Sequence, residues 1–326
     1  VPELVVLTEQ LLAPVPGGTG RYTAELYAAL ARTAPPGWTV VGASTSRHEL
    51  ASRKLPLPRR ALVAAWEQGL PYGVGLHVHA PTPLAPPKGA VVTVHDTVPW
   101  THPETLTPRG VAWHRKVITR ATRTAKAIVV PTETVKEELG HYAPGPVPVH
   151  VIPNGVTKLT GEQHVDVPEK YVLAIGTIEP RKGFDLLVKA TETLQVPLVV
   201  AGPQGWGGID LRAPHVHLLG RITDAELGYV LHHATVLAAP SYAEGFGLPV
   251  VEAMAAGIPV VHSDAPALVE VAGGAGTVFA RGDLAALTRS LRTVLADPGH
   301  TVADGSRRAA AFTWEKAAEA VWRLHV

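Results

Sequence analysis

Short runs of β-branched and aliphatic residues recur along the chain, most of them bounded by turn-forming residues. In the first half they are Leu4–Leu7, Val40–Ala43, Leu76–His79, Val91–His95, Ile128–Val130 and Val149–Ile152. In the second half they are Tyr171–Ile175, Leu198–Ala201, Val216–Leu219, Val236–Ala239, Val260–His262 and Thr277–Phe279. They lack clean apolar–polar alternation, the pattern of strands buried on both faces of a parallel sheet. Stretches of helical period lie between them: Arg21–Ala31, Arg109–Ala127, Gly183–Leu194, Ala225–His233, Leu248–Ala256, Leu284–Leu295 and Ser306–Leu324. Strand–helix alternation predicts an α/β fold, and two such sets predict two doubly wound, parallel-sheet, Rossmann-like domains.

The turn signal Pro153-Asn154-Gly155 directly follows a strand and sets the expected boundary, giving domains over 1–153 and 154–305. Pro-rich stretches at Leu55–Pro58, Pro81–Pro87 and Pro144–Pro148 read as surface loops.

Composition adds limits. A chain of 326 residues with 46% hydrophobic and 17% charged residues is an ordinary globular composition, and either half can bury its own core. No run approaches the ~18 apolar residues of a membrane span, and Val1–Leu7, followed at once by Thr8, Glu9 and Gln10, is too short for a signal sequence. The absence of cysteine excludes disulfides and thiolate chemistry and fits a cytoplasmic protein. The net charge of +1 conceals an asymmetry: residues 1–153 carry 15 Lys/Arg against 10 Asp/Glu, and residues 154–326 carry 14 against 18. That is either chance surface variation or a sign that each half meets a different partner.

Ligands of open α/β sheets bind beyond the carboxyl ends of the strands. After Val236–Ala239 comes Ser241-Tyr242-Ala243-Glu244-Gly245-Phe246-Gly247-Leu248-Pro249, then a helix bearing Glu252. Gly245 and Gly247 allow close approach of backbone to a ligand, and the N–H groups of the helix start favour a phosphate. Acids beside such a site suit sugar or ribose hydroxyls, although Glu252 also reads as a helix-dipole partner. After Tyr171–Ile175, Arg181-Lys182 opens the next helix. A pair of this kind is ordinarily a solvated basic turn; its parallel with the Glu244 loop favours neutralising a diphosphate leaving group. Gly17-Gly18-Thr19-Gly20-Arg21-Tyr22 is a weaker phosphate-loop signal and lacks the dinucleotide fingerprint. His95-Asp96 ends a strand and is expected to face a ligand or to be a satisfied strand-end histidine. His77 and His79 alternate on a strand without a third ligand at suitable spacing, so no metal is expected there. No Asp-x-Asp occurs, and a metal-independent site without a cofactor is expected. Arg109, Lys116, Arg120 and Arg123 form one helical stripe. It reads as a solvated face, or as a dock over residues 109–126 for an anionic acceptor or the inner face of a membrane. Asp264 reads as a helix cap.

These segments together resemble glycosyltransferase family 4, whose two-domain architecture is called GT-B. The resemblance rests on Glu244-x7-Glu252 within Ser241-Tyr-Ala-Glu-Gly-Phe-Gly-Leu-Pro-Val-Val-Glu-Ala-Met-Ala-Ala-Gly-Ile-Pro-Val, and on Gly17–Tyr22, His95-Asp96, Val151–Val156 and Gly176-Thr-Ile-Glu-Pro-Arg-Lys-Gly183 in the same order. It implies two domains facing across a cleft and transfer, with retention, from a nucleotide sugar held by the second domain. The acceptor, a carbohydrate, a lipid-linked sugar or a small molecule, is assigned to the first domain, and no nucleic acid is expected. By that resemblance Glu244 binds hydroxyls of the donor sugar and Glu252 the ribose. Lys182 holds the diphosphate, assisted by Arg181 and the N–H groups around Phe246–Leu248. Gly18 and Gly20 close on the phosphates, His95 contacts the donor sugar, and Arg21, Tyr22 and Asp96 lie on the acceptor side. A C-terminal helix over about 306–326 packs back on the first domain. Thr177 stands where the family commonly has Arg; the Thr-Ile-Glu-Pro-Arg-Lys form resembles mannosyltransferase-like members and favours GDP-mannose. An epimerase of the same fold and a non-catalytic nucleotide-sugar binder are the alternatives.

Overall fold

The computed structural model describes residues 1–13, 17–68, 70, 74–82, 88–297 and 299–326, without the side chains of 299–301. The chain divides into two compact units, Val1–Gly155 with Thr313–Val326, and Val156–Phe312. The divisions thus fall at 155/156 and 312/313, against the expected 153/154 and 305/306.

The first unit contains strands β1 (Glu3–Leu7), β2 (Thr39–Ser44), β3 (Arg53–Lys54), β4 (His77–Ala80), β5 (Val91–Thr93), β6 (Ala127–Val130) and β7 (Val149–Val151). Their order, β3-β2-β1-β4-β5-β6-β7, is parallel throughout. Between them lie α1 (Gly17–Arg32), α2 (Arg59–Glu67), α3 (Val98–Thr101), α4 (Pro108–Thr124) and α5 (Glu133–Tyr142). Four of these elements escaped the sequence pattern: β3, α2, α3 and α5. The two-residue edge strand β3 is too short to show a period, and α2 begins directly after the Leu55–Pro58 loop in a stretch to which no helix was assigned. Leu62 and Trp66 of α2, four residues apart, bury themselves in the core with Val117, Ile118 and Ala121 of α4.

In the second unit β8 (Val172–Ile175), β9 (Leu198–Ala201), β10 (Val216–Gly220), β11 (Val236–Ala239), β12 (Val260–Ser263) and β13 (Thr277–Phe279) form a parallel sheet in the order β10-β9-β8-β11-β12-β13. The helices are α6 (Phe184–Leu194), α7 (Asp224–His232), α8 (Leu248–Ala255), α9 (Pro266–Ala272), α10 (Leu284–Ala296) and α11 (Gly299–Ala309). Successive strand residues serve opposite cores, as the pleat requires. Leu173, Val199 and Leu237 pack with α7, α8 and α9, whereas Val172, Ala174, Val200 and Val236 pack with α6 and α10.

The helix expected over Ser306–Leu324 is two helices. The chain closes α11 with Phe312 N–H to Ala309 O, and Thr313 turns extended (φ −125°, ψ 146°) to cap α12 (Trp314–Trp322) by accepting from Lys316 N–H. Only residues from Thr313 onward belong to the first unit. There Trp314, Ala317, Ala318, Val321 and Trp322 form one buried helical stripe. Trp322 Nε1–H donates to Leu30 O of α1 at 3.2 Å.

Residues 83–87 of the expected Pro81–Pro87 loop lie outside the described residues. Among the described residues no helix is long and apolar enough to cross a membrane.

Candidate active site

Each sheet order reverses once beside its first strand, between β1 and β4 in the first unit and between β8 and β11 in the second. The loops leaving the carboxyl ends of two such strands diverge to opposite faces and open a crevice. In the second unit these two loops are Gly176–Gly183 and Pro240–Gly247, the segments singled out by sequence.

Backbone contacts tie the two loops together. Tyr242 N–H donates to Arg181 O at 2.8 Å. At Gly183 (φ +64°) an added Cβ would stand 2.6 Å from Pro240 O, so only glycine permits both the left-handed turn and the approach. Gly247 (φ +89°) precedes α8, where a Cβ would stand 2.4 Å from Leu268 Cδ2.

Glu244 is the centre of the cluster. Its Oε1 accepts from Lys182 Nζ at 2.6 Å and from Ser241 Oγ at 2.7 Å, and its Oε2 accepts from Arg181 Nη1 at 3.1 Å. Burial alone would raise its pKa, but the charges of Lys182 and Arg181, with the hydrogen bonds from Lys182 and Ser241, bring it down to about 2. It is therefore a carboxylate at neutral pH, an acceptor of hydroxyl hydrogen bonds and a poor proton carrier. Arg181 Nη1 also donates to Ala243 O at 2.7 Å, and Nη2 donates to Glu179 Oε1 at 2.5 Å. Sequence reading overlooked Glu179, whose side chain is 3% exposed. Its signal was the acid two residues before Arg181.

Glu252 is buried on the second turn of α8. Phe246 is buried and packs edge-on against Phe312, while Leu248 begins α8. Ser263 Oγ donates to Ser241 O at 2.5 Å and so holds the serine that faces Glu244. Asp264 does not cap α9: Ala265 occupies that position, and Asp264 Oδ1 instead accepts from Arg281 N and Nε at 3.0 and 2.8 Å.

In the first unit Gly18 and Gly20 lie within the opening turns of α1, which starts at Gly17 rather than Arg21. Tyr22 is 2% exposed, and its hydroxyl meets Thr93 Oγ1 at 3.0 Å. Burial pushes this phenol far above its usual pKa. Tyr22 thus offers no surface to an acceptor; its ring packs edge-on against His95 at 4.7 Å. His95 Nε2–H donates to Pro81 O at 2.7 Å, which fixes the tautomer. Burial holds its pKa below the ordinary value, against the contrary pull of the Pro81 bond and Asp96. Asp96 Oδ1 accepts from Val98 N–H at 3.1 Å, closing the turn into α3. Arg21 is half-buried on α1. His77 packs against Trp38, and His79 Nε2 meets Thr93 Oγ1 at 3.3 Å.

On α4, Arg109, Lys116 and Arg123 are exposed, but several of the helix's cations are spent locally. Lys116 pairs with Glu67 at 3.0 Å, Arg120 donates to Trp66 O, and Arg115 to Pro99 O. Arg115, Lys116, Thr119, Arg120, Arg123 and Thr124 line an open depression of about 490 Å³.

Known proteins share this organisation. A family model described as Glycosyltransferase Family 4 matches residues 16–158, and one described as Glycosyl transferases group 1 matches residues 169–297. The chain is 31% identical over 259 residues to O-antigen chain mannosyltransferase B of Escherichia coli, covering 69% of this chain and 67% of that protein. It is 30% identical to MMP alpha-(1->4)-mannosyltransferase of Mycolicibacterium hassiacum, covering 70% of this chain and 62% of that protein. The chain therefore spans about two thirds of these curated relatives, or somewhat less. The crystal structure of HepE from Anabaena in complex with UDP-glucose superposes with a TM-score of 0.75 at 17% identity, covering 98% of each chain. Two parallel-sheet Rossmann-like units, the crevice loops in their expected order and these matches agree on the GT-B fold, and the chain belongs to glycosyltransferase family 4.

Proposed function

We propose that the chain moves a hexosyl group, mannosyl by preference, from a nucleoside diphosphate sugar to a hydroxyl acceptor, with retention and without a metal ion. The observation that carries this reading is the Lys182–Glu244 pair at the switch point of the second sheet, beside the start of α8. In the absence of a donor the cation and the carboxylate satisfy one another. A diphosphate offers Lys182 a stronger, doubly charged partner, and the first N–H groups of α8 add fixed dipoles. Glu244, relieved of the ammonium, then accepts from hydroxyls of the sugar. Glu252 is assigned to the ribose.

The acceptor oxygen attacks the anomeric carbon from the face that the phosphate leaves, and its proton passes to the departing phosphate oxygen. No side chain has to act as the base, which suits a carboxylate with a pKa near 2. The work of the protein is to stabilise charge on the leaving diphosphate and to orient two substrates. His95, neutral with its proton on Nε2, is proposed to contact the sugar. Support for a mannosyl donor comes from the names of the two curated relatives, and support for a nucleotide sugar from the UDP-glucose complex of HepE.

The test is incubation with GDP-, UDP- and dTDP-sugars, with and without candidate acceptors, while nucleoside diphosphate release is followed. Acceptor-dependent release that survives EDTA is expected. Release independent of any acceptor, with epimerised donor recovered, would sink the transferase reading. The exposed cations of α4 are proposed to meet an anionic part of the acceptor or a membrane surface, which sedimentation with anionic and neutral vesicles distinguishes.

A further inference from the structure

Two cations stand beside Glu244, but their surroundings differ. Among the described residues the Lys182 ammonium donates one hydrogen bond, to Glu244 Oε1 at 2.6 Å, and its stem crosses Gly176, where an added Cβ would stand 3.3 Å from Lys182 Cε. A long flexible chain lying over a residue without a side chain can swing without displacing protein. The Arg181 guanidinium is gripped on several sides: Ala243 O at 2.7 Å, Glu244 Oε2 at 3.1 Å and Glu179 Oε1 at 2.5 Å. Glu179 is itself buried, and the residues on either side of it are anchored. Ile178, on one side, bridges to Gln204, with Ile178 N–H donating to Pro203 O at 3.0 Å and Gly205 N–H to Ile178 O at 3.1 Å. Pro180, on the other, lies against Gly207, where a Cβ would stand 2.4 Å from its ring.

We propose that Glu179 is a positioning residue that locks Arg181 as a strut between the two crevice loops, leaving Lys182 as the cation that moves to the donor diphosphate. The claim rests on the donor-binding reading above and sharpens it, because sequence alone assigned both cations to the phosphates. It follows from charge and geometry together. Glu179, Arg181, Lys182 and Glu244 sum to zero charge, so the arrival of a diphosphate draws out whichever cation is least tied. Moving Arg181 would strand the buried Glu179 carboxylate, whereas moving Lys182 leaves Glu244 still held by Arg181 and Ser241.

The experiment compares three variants, Glu179→Gln, Arg181→Lys and Lys182→Gln, for turnover and for binding of GDP and UDP by calorimetry, with the melting temperature of each recorded. Lys182→Gln is expected to weaken nucleoside diphosphate binding by about tenfold or more, the loss of one charge-assisted contact. Glu179→Gln and Arg181→Lys are expected to lower kcat by about tenfold while binding the diphosphate as well as wild type or better, because the phosphate contact is intact and the Glu244 loop is loosened. A merely structural role for Glu179 would instead weaken binding and turnover together. Diphosphate binding lost as strongly in Arg181→Lys as in Lys182→Gln would overturn the proposal, as would wild-type kcat in Glu179→Gln. Should Glu179→Gln not fold, Arg181→Lys alone decides between the two outcomes. Failure of the transferase reading shows separately, as a wild-type protein that turns over no sugar nucleotide yet binds nucleoside diphosphates. If the wild type binds neither, both fall.

Discussion

The Lys182 ammonium and the Glu244 carboxylate meet at 2.6 Å across two loops that leave adjacent parallel strands, each side chain less than 15% exposed. The pair is held by the sheet and not by local sequence, since 62 residues separate the partners. Glu244→Ala and Lys182→Ala are each expected to lower turnover by about a hundredfold or more, the scale of losing one preorganised electrostatic contact. Far-UV circular dichroism should stay unchanged. Wild-type rates in either purified variant would refute the assignment.

Acid should dissolve this pair in a defined window. The Glu244 pKa falls from 4.5 to about 2 on folding, so its contribution is complete above pH 4.5 and is lost as pH falls towards 2. The amount is about 3 kcal/mol by the linkage relation. Urea midpoints of wild type and Glu244→Gln should therefore approach one another as pH falls from 4.5 towards 2. Parallel decline of the two proteins would contradict the pairing.

The first unit should weaken at milder acidity. His79 and His325 are buried, and His79 Nδ1 and His325 Nε2 have no hydrogen-bond partner among the described residues. Burial, with Lys126 and His77 nearby, lowers His325 to about 3, and burial chiefly, then His325 and His95, lowers His79 well below its ordinary value. Unfolding lets both take up protons, so stability is full above pH 6.5 and declines below it. Tryptophan fluorescence reports this unit selectively, since Trp206 is the single tryptophan of the second. A His325→Phe variant should show a shallower loss from pH 6.5 to 4.5. An unchanged slope would place the titration elsewhere.

Gly247→Ala combines a left-handed φ of +89° with a Cβ 2.4 Å from Leu268 Cδ2. Backbone strain alone costs about 1 kcal/mol or more, before Leu268 is displaced. The expected result is a lower melting temperature and a raised KM for the donor, because the start of α8 shifts. Gly208→Ala, where nothing stands within 4 Å, serves as the exposed control with a similar positive φ.

The strands and the two crevice loops were legible because buried parallel strands and strand-to-helix turns write themselves locally, in apolar runs and in glycine, proline and charge. The sheet order was not. That β8 neighbours β11, bringing Glu244 to Lys182, is a long-range fact that no period encodes. For the same reason Asp264 looked like a cap and proved to be an arginine partner: Arg281, 17 residues on, reaches it only through the β12–β13 pairing. Tyr22 looked like a ligand contact because of its motif; its burial depends on Trp314, which sequence separates from it by nearly the whole chain. Glu179 was passed over because an acid in a turn is ordinarily solvated.

The chain enters the second unit at Val156 and leaves it at Phe312, and Val156 N–H donates to Phe312 O at 3.2 Å. In topological terms the second unit is an insertion whose two ends nearly touch, spliced into a host that is discontinuous in sequence. A ribosome therefore finishes the inserted unit before the host receives Trp314 and Trp322, the residues that cover Tyr22 and Trp38. Until then the host exposes an apolar face, so the order of synthesis makes the second unit the autonomous folder and the first the dependent one. Residues 156–312 expressed alone should fold, and residues 1–155 alone should not until a peptide spanning 313–326 is added in trans.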